Sequence, residues 1–135
     1  IADAFAAGEK RIVPGHEDTL ADSIAVGAPR NWAKALRAVR KTGGTMVTVT
    51  DEEILGAIRE LARTTGVFGE PAGVTGFAGF KKMAESGELS SGERVAFVVT
   101  GNGLKDAKSA RRAVGAPVSV APDIDELIPL LSRFN

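Results

Sequence analysis

The sequence predicts an α/β fold of three layers, a mainly parallel sheet flanked by helices, and two observations lead to it. Amphipathic stretches alternate with short apolar runs in the order helix, strand, helix, helix, strand, helix, strand, helix, as when helices cover a parallel sheet. Within that order Val95-Ala96-Phe97-Val98-Val99 is apolar without a break, which marks a strand buried on both faces.

Each element has its own signal. Ile1, Ala2, Ala4 and Phe5 read as the middle of a helix stopped at Gly8, and with no initiating methionine this suggests a fragment. Over residues 31–42, Trp32, Ala35, Leu36 and Val39 share a helical face, and Gly43-Gly44 offers a left-handed stop. Residues 45–49 alternate as a short half-buried strand does. Thr50 is then an N-cap with Glu53 at the third helical position, a capping box, and Ile54, Leu55, Ile58, Leu61 and Ala62 make a stripe down to Gly66. Glu70-Pro71 opens a further helix to about Ser86. Its interior glycines, Gly73, Gly76 and Gly79, each cost roughly 1 kcal/mol relative to alanine, so close approach of another backbone or a ligand is expected there. After a polar turn over 87–93 and the apolar run come a helix over 106–114, a strand over 118–120 and a last helix after Pro122-Asp123, with Pro129 inside its pattern. One unit covering residues 1–135 is expected.

Composition narrows the functions. The 135 residues are 44% hydrophobic and 25% charged, and seventeen basic residues balance seventeen acidic ones, so no net field favours nucleic acid or an anionic membrane. Cysteine is absent and histidine occurs once, at His16. That removes thiolate chemistry and leaves no set of zinc ligands. No stretch is long and apolar enough to span a bilayer, and a reducing cytoplasm is the expected compartment.

In open α/β sheets ligands collect beyond the carboxyl ends of strands, which here is Thr100-Gly101-Asn102-Gly103. Its glycines would let backbone approach a cofactor, although a plain strand-to-helix turn uses the same residues and is favoured on this motif alone. Glu70 could face a site, yet acids near helix starts also complement the helix dipole. His16 lies in an exposed Gly-His-Glu-Asp stretch, Lys81 and Lys82 come late in a helix, and Ser90, Ser91 and Ser109 have no activating partner nearby. No catalytic residue is assigned.

Taken together, several segments resemble the C-terminal portion of threonine synthases, enzymes dependent on pyridoxal 5'-phosphate (PLP) with the fold of the tryptophan synthase β-subunit. They are Thr19-Leu20-Ala21-Asp22-Ser23-Ile24 with Gly27-Ala28-Pro29, the helix from Trp32 to Gly43-Gly44, Val49-Thr50-Asp51-Glu52-Glu53-Ile54-Leu55, Gly66-Val67-Phe68-Gly69-Glu70-Pro71-Ala72, Ala78-Gly79 and Thr100-Gly101-Asn102-Gly103-Leu104-Lys105-Asp106. The last is the most specific. Asn102 stands where many threonine synthases have histidine, and Thr75-Gly76 where alanines are frequent, which keeps related dehydratase or cysteate synthase activities open beside a non-catalytic binding module.

The resemblance implies PLP as cofactor, O-phospho-L-homoserine as substrate, and a homo-oligomer, most simply a dimer. It implies that the Thr100 hydroxyl meets the cofactor's pyridine nitrogen, and that Gly101 and Glu70 lie close to its ring. The family's lysine segment, of the Ser-Phe-Lys-Asp type, and its Gly-Asn-x-Gly-Asn phosphate cradle are not among these residues, so the chain by itself is expected to be inactive. A truncated sheet would also expose an apolar edge. The isolated chain is therefore expected to associate, and light scattering that shows a monodisperse monomer would count against the fragment view.

Overall fold

The computed structural model describes residues 1–132; the last three residues of the expected unit, 133–135, lie outside the described residues. Among the described residues there are six α-helices, α1 (Ala2–Ala6), α2 (Trp32–Thr42), α3 (Asp51–Thr65), α4 (Pro71–Glu85), α5 (Ala107–Val114) and α6 (Ile124–Leu131), with single 3-10 turns at Asp22–Ile24 and Gly103–Lys105. Among the described residues no helix is long and apolar enough to cross a membrane.

The helix boundaries follow local chemistry. Thr50 and Glu53 form a reciprocal capping box at the start of α3, Thr50 N–H donating to Glu53 Oε2 at 2.6 Å and Glu53 N–H to Thr50 Oγ1 at 3.2 Å. This satisfies two of the amide donors that a helix start leaves without partners. Helices α2 and α3 end where glycines take left-handed backbone, Gly43 at φ 66° and Gly66 at φ 76°. Pro71 occupies the first turn of α4, where the missing N–H is not needed.

The core lies between α3, α4 and α5. Ile54, Leu55, Ala57, Ile58 and Leu61 of α3 meet Val74, Phe77 and Ala78 of α4, and Ala113 of α5 closes the cluster. Arg59 ties α3 to the end of α5 by donating to the Ala113 carbonyl at 3.0 Å, a cation meeting the negative end of a helix. Asp51 reaches back instead. Its carboxylate accepts from the Thr19 hydroxyl at 2.6 Å and from Leu20 N–H at 3.1 and 3.2 Å, which seats fully buried Ala21 in the same core.

The expected three-layer α/β arrangement with a mainly parallel sheet, and with it the tryptophan synthase β-type fold that the resemblance implied, is corrected here. Among the described residues there is no strand; the one bridge pairs Gly69 with Asn102, antiparallel and isolated. Segments 45–49, 95–99 and 118–120 run between helices without ladder hydrogen bonds. The first two lie over α4. A Cβ at Gly79 would touch Val47 Cβ and one at Gly76 would touch Phe97 Cβ, each at 3.9 Å, and the Phe97 ring packs on Phe77 at 5.3 Å. The other side of 95–99 is uncovered, with Val98 79% exposed. The reason lies in what each pattern measures. An apolar run reports a tendency to be buried, which packing on one helix partly meets, whereas a ladder requires a second backbone alongside at about 4.8 Å, which no run of side chains encodes.

Helix α5 supplies a test by pH. Asp106 is its N-cap and accepts from Ser109 N–H at 2.9 Å; the Ser109 hydroxyl and amide hold the Asp106 carboxyl below the usual aspartate range. A carboxyl lowered on folding stabilises the fold above its unfolded value of 3.8, and the contribution fades as pH falls through the lower folded value. Acid titration followed by amide exchange is expected to open the start of α5 below about pH 3.8, and D106N, which keeps a cap without the charge, is expected to remove that step.

Candidate functional site

The structure brings Glu70, Thr100 and Gly101 together. The turn before α4 and the turn after segment 95–99 lie antiparallel, joined by Glu70 N–H donating to the Gly101 carbonyl at 2.9 Å and Gly103 N–H donating to the Phe68 carbonyl at 3.0 Å. Two stretches some thirty residues apart thereby become one ledge at the N-terminal end of α4. Thr100 stands exposed on it, Gly101 is half-buried, and Glu70 is buried with 7% of its surface accessible.

Glycine is required where the two turns meet. A Cβ at Gly73 would sit 3.0 Å from the Gly101 nitrogen, 3.1 Å from its carbonyl oxygen and 3.3 Å from the Thr100 nitrogen. This is the backbone approach that the glycines of α4 led one to expect. A Cβ at Gly69 would press on Val74 and Val99 methyls at 2.6 and 2.7 Å, and one at Gly101 would overlap the Glu70 carboxylate. The space these glycines leave is filled by the chain's own atoms.

Glu70 is the N-cap residue of α4 by backbone, but its side chain makes no cap hydrogen bond. The carboxylate lies over Gly101 and pairs with Lys105 Nζ at 3.1 Å. In the sequence Lys105 is named only as part of the segment from Thr100 to Asp106, with no role of its own. The pair spans thirty-five positions, so no local motif could signal it. Asn102 folds its side chain onto its own turn, accepting from Leu104 N–H at 2.9 Å, and His16 is exposed.

The chain is a member of the pyridoxal-phosphate dependent enzyme family, whose model matches residues 1–101. Among curated relatives it is similar to threonine synthase of Methanocaldococcus jannaschii, 41% identical over 135 residues, which are 99% of this chain and 33% of that protein. Threonine synthase of Bacillus sp. strain ULM1 is 42% identical over 127 residues, 90% of this chain and 36% of that protein. The chain thus spans about a third of the length of the curated relatives it matches. In backbone path it is similar to the crystal structure of threonine synthase from Escherichia coli, with TM-score 0.64 and 18% identity over 100% of this chain and 35% of that one. That likeness is one of fold.

Two glycine substitutions separate packing from propensity. Gly73→Ala pushes a methyl against backbone that hydrogen bonds hold in place, and a loss of about 1–3 kcal/mol is expected. Gly56, inside α3 with nothing within 4 Å of its Cβ position, is expected to gain about 0.5–1 kcal/mol as Gly56→Ala. Urea denaturation of both variants checks the signs.

Proposed function

We propose that this chain is the C-terminal part of the PLP-binding domain of a threonine synthase type of enzyme, which converts O-phospho-L-homoserine and water to L-threonine and phosphate. The observation that carries the reading is the ledge itself. Thr100 is exposed at its rim, and the backbone behind it is fixed from two sides by the Gly101–Glu70 hydrogen bond and the Gly73 contact. The similarity to threonine synthases over nearly the whole chain supports the choice of reaction.

The residues present fit one edge of PLP. Thr100 would donate its hydroxyl hydrogen to the pyridine nitrogen, with Gly101 and Glu70 beside the ring. PLP, when bound, supplies an electron sink for negative charge developed at the substrate's Cα. A hydroxyl is too weak an acid to protonate a pyridine nitrogen, so Thr100 would hold the ring without making it cationic, and proton movements would rest more heavily on acid and base groups nearby. In the net reaction the C–O bond at Cγ breaks and phosphate departs with the electron pair, Cβ gives up a proton and Cγ takes one to become the methyl group, and the oxygen of water bonds to Cβ while a water proton goes to the phosphate. On the ledge itself Lys105 is paired with Glu70, and a single hydroxyl contact contributes only about 0.5–1.5 kcal/mol.

The test is an assay of phosphate release from O-phospho-L-homoserine with added PLP, on the 135-residue chain and on a complete polypeptide carrying it. The chain alone is expected to release none and the complete polypeptide to turn over. Thr100→Val in the latter is expected to weaken PLP retention by a factor of about 2 to 10. A complete polypeptide that deaminates threonine or makes cysteate, and releases no phosphate, would overturn the assignment.

A further inference from the structure

We propose that Lys105 is a positioning residue for this ledge: its ammonium holds the Glu70 carboxylate down on Gly101 and so fixes the Thr100–Gly101 turn against the start of α4. The inference rests on the reading of Thr100 as a cofactor contact, but its own evidence is the ion pair and the packing around it.

The Glu70 side chain keeps 9% of its surface accessible and its partner 64%. A carboxylate withdrawn from water needs a counter-charge or donors, and the amides of α4 do not supply them, because the Glu70 side chain makes no cap bond there. The first turn of α4 carries no acidic residue, and Asp106, the next acid along the facing turn, is engaged with Ser109 N–H. Among the described residues Lys105 is the one cation within ion-pair distance of Glu70.

Its placement is built by the backbone. The 3-10 turn Gly103–Lys105 closes through Lys105 N–H to the Asn102 carbonyl and Asp106 N–H to the Gly103 carbonyl, both at 3.1 Å. With Gly103 N–H bound to the Phe68 carbonyl at 3.0 Å, the turn folds back so that the lysine stem returns toward Glu70. Gly101 lies beneath the carboxylate, with no side chain to hold it off. The family model ends at residue 101, whereas the similarity to threonine synthase of Methanocaldococcus jannaschii runs over nearly the whole chain.

The burden is asymmetric. Lys105 remains hydrated, whereas Glu70 depends on it, so losing the lysine alone should disturb the ledge more than losing both charges. Lys105→Met is expected to speed exchange of the Glu70 and Gly103 amides roughly tenfold, with Ile58 and Leu61 of α3 unchanged and Lys105→Arg restoring protection. The double variant Glu70→Gln, Lys105→Met should exchange those two amides more slowly than Lys105→Met alone, because no unpaired carboxylate is left behind. Unchanged exchange in Lys105→Met would overturn the proposal, as would a double variant that exchanges as fast as Lys105→Met. Lys105→Met that moves the exchange profile, alongside Thr100→Val that leaves PLP retention of the complete polypeptide untouched, would uphold the positioning role and reject the cofactor reading.

Discussion

The two backbone hydrogen bonds between Phe68–Glu70 and Gly101–Gly103 connect parts of the chain that helix packing alone leaves separate. On one side they fix where α4 begins, and through α4 the faces of Val74, Phe77 and Ala78 that complete the core with α3. On the other they fix the turn that leads into α5, whose Ala113 closes the same core. Each bond is worth only about 1 kcal/mol net. Their weight comes from location, because they add backbone pairing to the Phe97–Phe77 packing and the Gly73 contact that lay segment 95–99 and its loop against α4.

The helices were legible because their signals are local. The capping box at Thr50 and Glu53, the glycine stops at Gly43 and Gly66 and the proline at the start of α4 each involve residues within a turn of one another. The strands were not. Val95 to Val99 has the composition of a doubly covered strand, yet one side rests on Phe77 and the other stands open at Val98. Hydrophobicity sets what a segment prefers to avoid, and pairing depends on where a second backbone lies.

The candidate site divides in the same way. Thr100, Gly101 and Glu70 were readable as residues, one pair from its glycine-rich loop and the acid from its position before a proline. Their meeting rests on antiparallel pairing across some thirty residues, and Lys105 became visible only once that pairing set its turn beside Glu70. The glycines of α4 were a partial guide: they announced a close neighbour, and for Gly73 it is the backbone of Thr100 and Gly101.

The overlap between the Glu70 carboxylate and the space above Gly101 means that the two positions share one volume. Drift at either is therefore conditional on the other. A larger residue at 101 displaces the acid at 70 from its seat, and with it the tether of the lysine at 105. Homologues that depart from glycine at this position should be found to have changed all three places together.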